Sequence, residues 1–169
     1  MKWSERVVQS GVGDSSVITQ AYTATILVSL TDAGPGGWTL AGRADITSTF
    51  TSDFVGNRIT IQGAPCKVHY TDDASNSGTV DVEGGLEARD GFYQFHVDVP
   101  GLDGGSNNTV RDDSPCGGPN DLETTEWSVA PTTPGGNGDL IDPLHISGSS
   151  SQPREGGEDT ITWSFTLPG

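Results

Sequence analysis

At 169 residues the chain is long enough to build one hydrophobic core without a metal staple, and its 32% hydrophobic content with 24 glycines and 10 prolines fits a turn-rich β protein or a disordered chain. A formal net charge of -15, from 23 acidic against 8 basic residues, sets up a field that repels nucleic acid and anionic lipid. The most apolar run, residues 24–30, is far shorter than the ~20 residues of a membrane helix, so neither nucleic-acid binding nor membrane insertion is expected.

Periodicity decides for a folded β protein. Trp3 and Val7 mark a weak first strand. Over residues 17–31, Ile18, Tyr22, Ala24, Ile26, Val28 and Leu30 share one parity and mostly Thr and Ser fill the other, the period of a half-buried strand. The turn residues of 32–37 follow, and Trp38, Leu40, Ala44, Ile46 and Phe50 repeat the alternation, so residues 17–50 predict a long hairpin. Ile59, Ile61, Cys66, Val68 and Tyr70 predict one or two further strands, ended by a polar turn over 71–78. Short strands follow at Val80-Val82 and Leu86-Ala88, and Asp90-Gly91 is a hairpin signal leading into the alternation of Tyr93, Phe95, Val97 and Val99.

Residues 100–120 are rich in Gly, Pro, Asp, Asn and Ser and predict a long surface loop. Trp127 and Val129 sit in a strand, 131–138 in a loop, 140–146 in a short strand and 148–157 in a polar connection. The chain closes on Ile161, Trp163, Phe165 and Leu167 alternating with Thr and Ser, a strongly amphipathic strand. With no helical period anywhere, residues 1–169 are expected to form a single all-β domain: an antiparallel two-sheet β-sandwich, immunoglobulin-like or jelly-roll, of about nine or ten strands, with a β-barrel as the rival. The antibody-type pattern is not met, since no Trp lies between the cysteines and Ser114 stands where a Tyr would precede the second one.

Cys66 and Cys116 lack any CxxC spacing, and a disulfide between them is the simplest expectation; it implies an oxidising, extracellular or cell-surface setting. Met1-Lys2 leads into polar residues without an apolar stretch, so no export signal is expected within this sequence. Calcium favours six to eight oxygen ligands, which makes the acidic stretches holding Asp72, Asp73 and Asn76, and Asp103, Asp112 and Asp113, its candidate ligands, although neither has EF-hand spacing. No cofactor is required by any motif. His69, His96 and His145 lie opposite the apolar parity of their strands and should face outward, where they could converge only if those strands were neighbours. Asp81, Glu83 and Glu87 could line a sheet face, but a carboxylate pair is a weak signal in so acidic a chain. Trp38 and Trp163 share parity with aliphatic residues and should be core, leaving Trp3 and Trp127 as candidate ligand-facing aromatics.

These features lead to the expectation of a non-catalytic secreted or cell-surface module that binds a protein or glycan partner, or copies of itself, through acidic Gly-rich loops on a disulfide-stapled sandwich. The strands at the chain ends, 2–10 and 160–167, are expected as edges open to a partner strand. A carbohydrate-binding module using exposed Trp, and a carboxylate-based glycoside hydrolase, are the alternatives.

Overall fold

The computed structural model describes residues 2–9, 15–142, 144–154 and 157–167, with the backbone alone for 2–9, 15, 154, 157 and 159. The strands are β1 (Lys2–Gln9), β2 (Ser15–Gly34), β3 (Gly37–Ile59), β4 (Pro65–Arg89), β5 (Phe92–Asp98), β6 (Leu102–Asp112), β7 (Asn120–Val129), β8 (Gly135–Asp139), β9 (His145–Arg154) and β10 (Gly157–Thr166). Ser114–Cys116 forms a short 3-10 turn, and no α-helix is present among the described residues. All pairing is antiparallel, along one open path β7-β6-β4-β3-β2-β1-β10-β9, with β5 and β8 joined to β4 as a branch. The sheet does not close into a barrel.

Three strands dominate. β2, β3 and β4 have 20, 23 and 25 residues, well beyond the usual 3–10, and β4 at ~3.3 Å per residue is about 80 Å of chain. Tight turns fold them back on each other. Pro35-Gly36, with Gly36 at φ 74°, fits a type II turn, and Asp32 accepts the Gly34 N–H at 2.8 Å. Asp90-Gly91, both at positive φ (56° and 79°), makes the primed turn that joins β4 to β5, as the sequence predicts.

β4 gives one edge to two partners in succession. Residues 69–75 pair with β6, whereas residues 83–89 pair with β5. The sheet therefore has two regions, a body beyond this branch and an arm before it. In the body, alternate residues of β2, β3, β4, β5, β9 and β10 meet in one buried cluster containing Tyr22, Ile26, Leu40, Ile46, Leu86, Phe95, Val97, Ile146, Trp163 and Phe165. β5 and β10 face each other across it. The Phe95 ring centre lies 5.2 Å from Trp163 and 5.0 Å from Phe165, and Trp163 Nε1 donates to the Tyr93 hydroxyl at 3.1 Å. The indole fits only because its neighbours are bare: a Cβ on Gly136 or Gly148 would come within 2.9 or 2.6 Å of the ring.

The arm comprises the first residues of β2, residues 49–59 of β3, 65–75 of β4, and β6 and β7, whose body-side ends at Leu102 and Val129 pack against the body's cluster. Among the described residues its buried hydrophobic side chains are Val68 and Ala74, and neither belongs to the body's cluster. A disulfide joins Cys66 to Cys116, tying the 3-10 turn to the base of β4.

Several sequence expectations give way here. Residues 71–78 are strand, not turn, because their polar side chains find partners across the sheet: Asp72 accepts from Ser52 Oγ (2.7 Å) and Thr109 Oγ1 (2.6 Å). Residues 100–120 hold β6 and the 3-10 turn rather than one long loop, 135–139 form β8, and β9 runs through 154 where a connection was expected, while 140–142 and 144 are not strand. The chain-end strands are not open edges either. β1 pairs with β2 throughout and with β10 over Lys2–Arg6, and β10 pairs with β9 along its length.

Candidate functional site

The arm carries most of the side chains singled out in the sequence, and cross-strand pairing explains where each goes. On its inner face Phe54 stacks on Tyr70 (ring centres 5.7 Å apart) and Phe50 on Trp127 (5.3 Å). Tyr70 donates to Asp113 at 2.7 Å, and this bond, with some burial, holds the phenol above its ordinary pKa. Asp112 accepts the backbone N–H of Ser114 at 3.0 Å and also its hydroxyl, which holds the carboxyl below the usual aspartate value.

The candidate calcium ligands are thus dispersed into separate roles. Asp72 bridges β3 and β6 on the inner face, Asp73 is exposed on the next residue of opposite parity, Asp103 is exposed beside the β6 bulge, and Asp112 and Asp113 brace the 3-10 turn. Asn76 is 6% exposed at the branch, where its amide donates to the carbonyls of Leu102 (2.9 Å) and Trp127 (3.2 Å). Among the described residues no three His, Cys, Asp or Glu side chains come together as a metal-holding group.

The histidines face outward but stay apart in separate settings. His69 Nε2 meets Asp53 at 3.1 Å on the arm, His145 Nδ1 meets Asp142 at 3.3 Å in the body, and His96 lies over Gly85. The carboxyl of Asp142 is held low chiefly by the Leu144 N–H. Asp81 pairs with Arg43 at 3.3 Å, both exposed, and Glu87 takes a hydrogen bond from Gln94. A cleft of about 630 Å³ between the 33–35 turn and β4–β5 is lined by Trp38, Glu87, Gln94 and His96, with Glu87 its one carboxylate. Of the candidate ligand-facing aromatics, Trp127 has its ring against Phe50 and its Nε1 buried without a hydrogen-bond partner, while the Trp3 side chain lies outside the described residues.

Sequence reading placed Trp127 and Val129 in a strand but missed that this strand begins at Asn120 and is the outermost of the arm. β7 pairs with β6 along one side and ends the hydrogen-bonded path, so among the described residues its other side has no strand partner. Residues 120–126 are all exposed. Register places Val17, Asp53, Thr71, Val110 and Leu122 in one row across the arm's outer face, ending on Leu122 at 72% exposure. For residues 120–126 the sequence signal was the period-2 spacing of Leu122, Thr124 and Glu126, which lacks a greasy parity to flag it. Comparison of the chain with known protein families, characterised proteins and solved structures gives no match.

Proposed function

We propose that this chain is a non-catalytic binding or assembly module of the extracellular space or cell surface, in which the body anchors and the arm makes the contact. The observation that carries this is the arm's outer strand: β7 is exposed over seven consecutive residues, has no strand partner along one side among the described residues, and sets Leu122 beside the exposed Val110 of β6. Acidic loops, the display elements expected from sequence, give way here to an acidic strand. The Cys66–Cys116 bond supports an oxidising compartment, because such bonds persist there. The facing of β5 and β10 across the core favours a sandwich-like body, to which the immunoglobulin-like or jelly-roll description would apply.

The glycan-binding alternative moves from Trp127, whose ring is taken by Phe50, to the cleft of Trp38, Glu87, Gln94 and His96. A glycan panel read against two variants separates the readings. Under the arm reading, Leu122→Asp with Val110→Asp abolishes association with the physiological partner or with further copies, and His96→Ala does not. Glycan hits lost on His96→Ala and unaffected by the arm changes would overturn it.

A further inference from the structure

We infer that β7 is the acceptor edge for an extended, basic segment of another protein, which adds antiparallel to β7 as one more strand of the sheet. This rests on the reading of the arm as the contact surface and names the occupant. Natural edges are usually blunted by Lys, by Pro or by being covered, since a bare row of N–H and C=O groups invites pairing. β9, at the other end of the path, carries Pro153, whereas β7 (Asn-Asp-Leu-Glu-Thr-Thr-Glu-Trp-Ser-Val) has neither Pro nor Lys.

Charge selects the occupant. β7 offers Asp121, Glu123 and Glu126 and no base, on a chain of net charge -15. A second copy is disfavoured: the register that overlaps two β7 strands fully, centred between Thr124 and Thr125, sets Glu123 opposite Glu126 twice, and like charges directly opposite repel. An incoming strand is complementary if it carries Lys or Arg opposite Glu126, Glu123 and Asp121 and an apolar residue opposite Leu122. Within the sheet Asp121 already faces Arg111 of β6, while Glu123 faces Thr109, whose hydroxyl is given to Asp72, and Glu126 faces Ser106; the demand for a base is therefore greater at Glu123 and Glu126 than at Asp121. Read antiparallel, the required pattern is Lys-Thr-Val-Lys-Ile-Lys.

The test titrates the intact chain with a fluorescent twelve-residue peptide built around that hexapeptide. Its companions are the same peptide with Glu for Lys, and two versions N-methylated at alternate residues of one parity or the other. Only one parity of peptide N–H groups points at β7 in a strand ladder, so one methylated peptide should bind like the parent and the other at least about tenfold more weakly. Glu123→Lys and Glu126→Lys should each weaken binding about fivefold, and raised salt should weaken it further. The Glu peptide should not bind. Equal binding by both methylated peptides would mean charge attraction without strand addition, and no saturable binding of the Lys peptide would mean no basic acceptor edge; either overturns this inference. The arm reading is judged separately, by Leu122→Asp with Val110→Asp.

Discussion

Body and arm are made from the same three long strands, yet they hold together in different ways. In the body one face of β2, β3 and β4 meets β5, β9 and β10, and side chains such as Leu40, Leu86 and Val97 are essentially lost to water. In the arm the continuing strands are joined by hydrogen-bonded polar side chains, two aromatic stacks and one disulfide. Hydrophobic burial scales with area removed from water, so the body should carry most of the folding free energy, while the arm gains shape from cross-strand pairing and a covalent tie. The difference suits the contact role proposed for the arm.

The largest expected effect breaks the body. Phe95→Ala removes a ring wedged between Trp163 and Phe165 and should cost about 3–5 kcal/mol, against about 1–2 kcal/mol for Phe54→Ala on the half-buried inner face of the arm. Urea unfolding of the two variants measures both; equal losses would erase the distinction. At the boundary, Asn76→Ala leaves the Leu102 and Trp127 carbonyls without that donor and should cost about 1–3 kcal/mol, with the loss of amide protection centred on the β6–β7 side of the branch. Gly105 is bound to the same feature, since a Cβ there would lie 2.6 Å from that of Asn76.

The smallest effect is local to the tip of the arm. Because Asp112 is held low by Ser114, its contribution is present above the ordinary aspartate value and is lost as pH falls through the lower folded value. The Ser114 amide resonance should therefore titrate with a midpoint below 3.8, and a midpoint at or above 3.8 would remove this brace.

The same contrast explains what could be read from the sequence. Alternation was plain wherever one face is fully buried: residues 22–30, 93–99 and 161–167 all lie in the body, and their strands and inward parity follow the reading closely. Residues 71–78 and 102–112 have turn-like composition because the arm's inner face buries few apolar side chains, Val68 and Ala74 among the described residues, and their strand state depends on partners supplied from elsewhere, such as Ser52 and Thr109 for Asp72. The disulfide was legible from the isolation of its two cysteines. The open edge was not, because which strand ends a sheet is a property of topology, and β7 lacks the Pro or Lys that marks many edge strands.

Native-state amide exchange, followed with and without reductant, tests the division of the sheet most directly. Leu40–Ile46 and Tyr93–Val97 should exchange only through global unfolding, while β6, β7 and residues 51–59 exchange faster through opening of the arm. Cleaving Cys66–Cys116, which closes a 50-residue separation worth at most about 4 kcal/mol in the chain-entropy picture, should speed the arm's exchange and leave the body's nearly unchanged. Exchange that is uniform along β3 and β4, or that accelerates equally in both regions on reduction, would contradict the account.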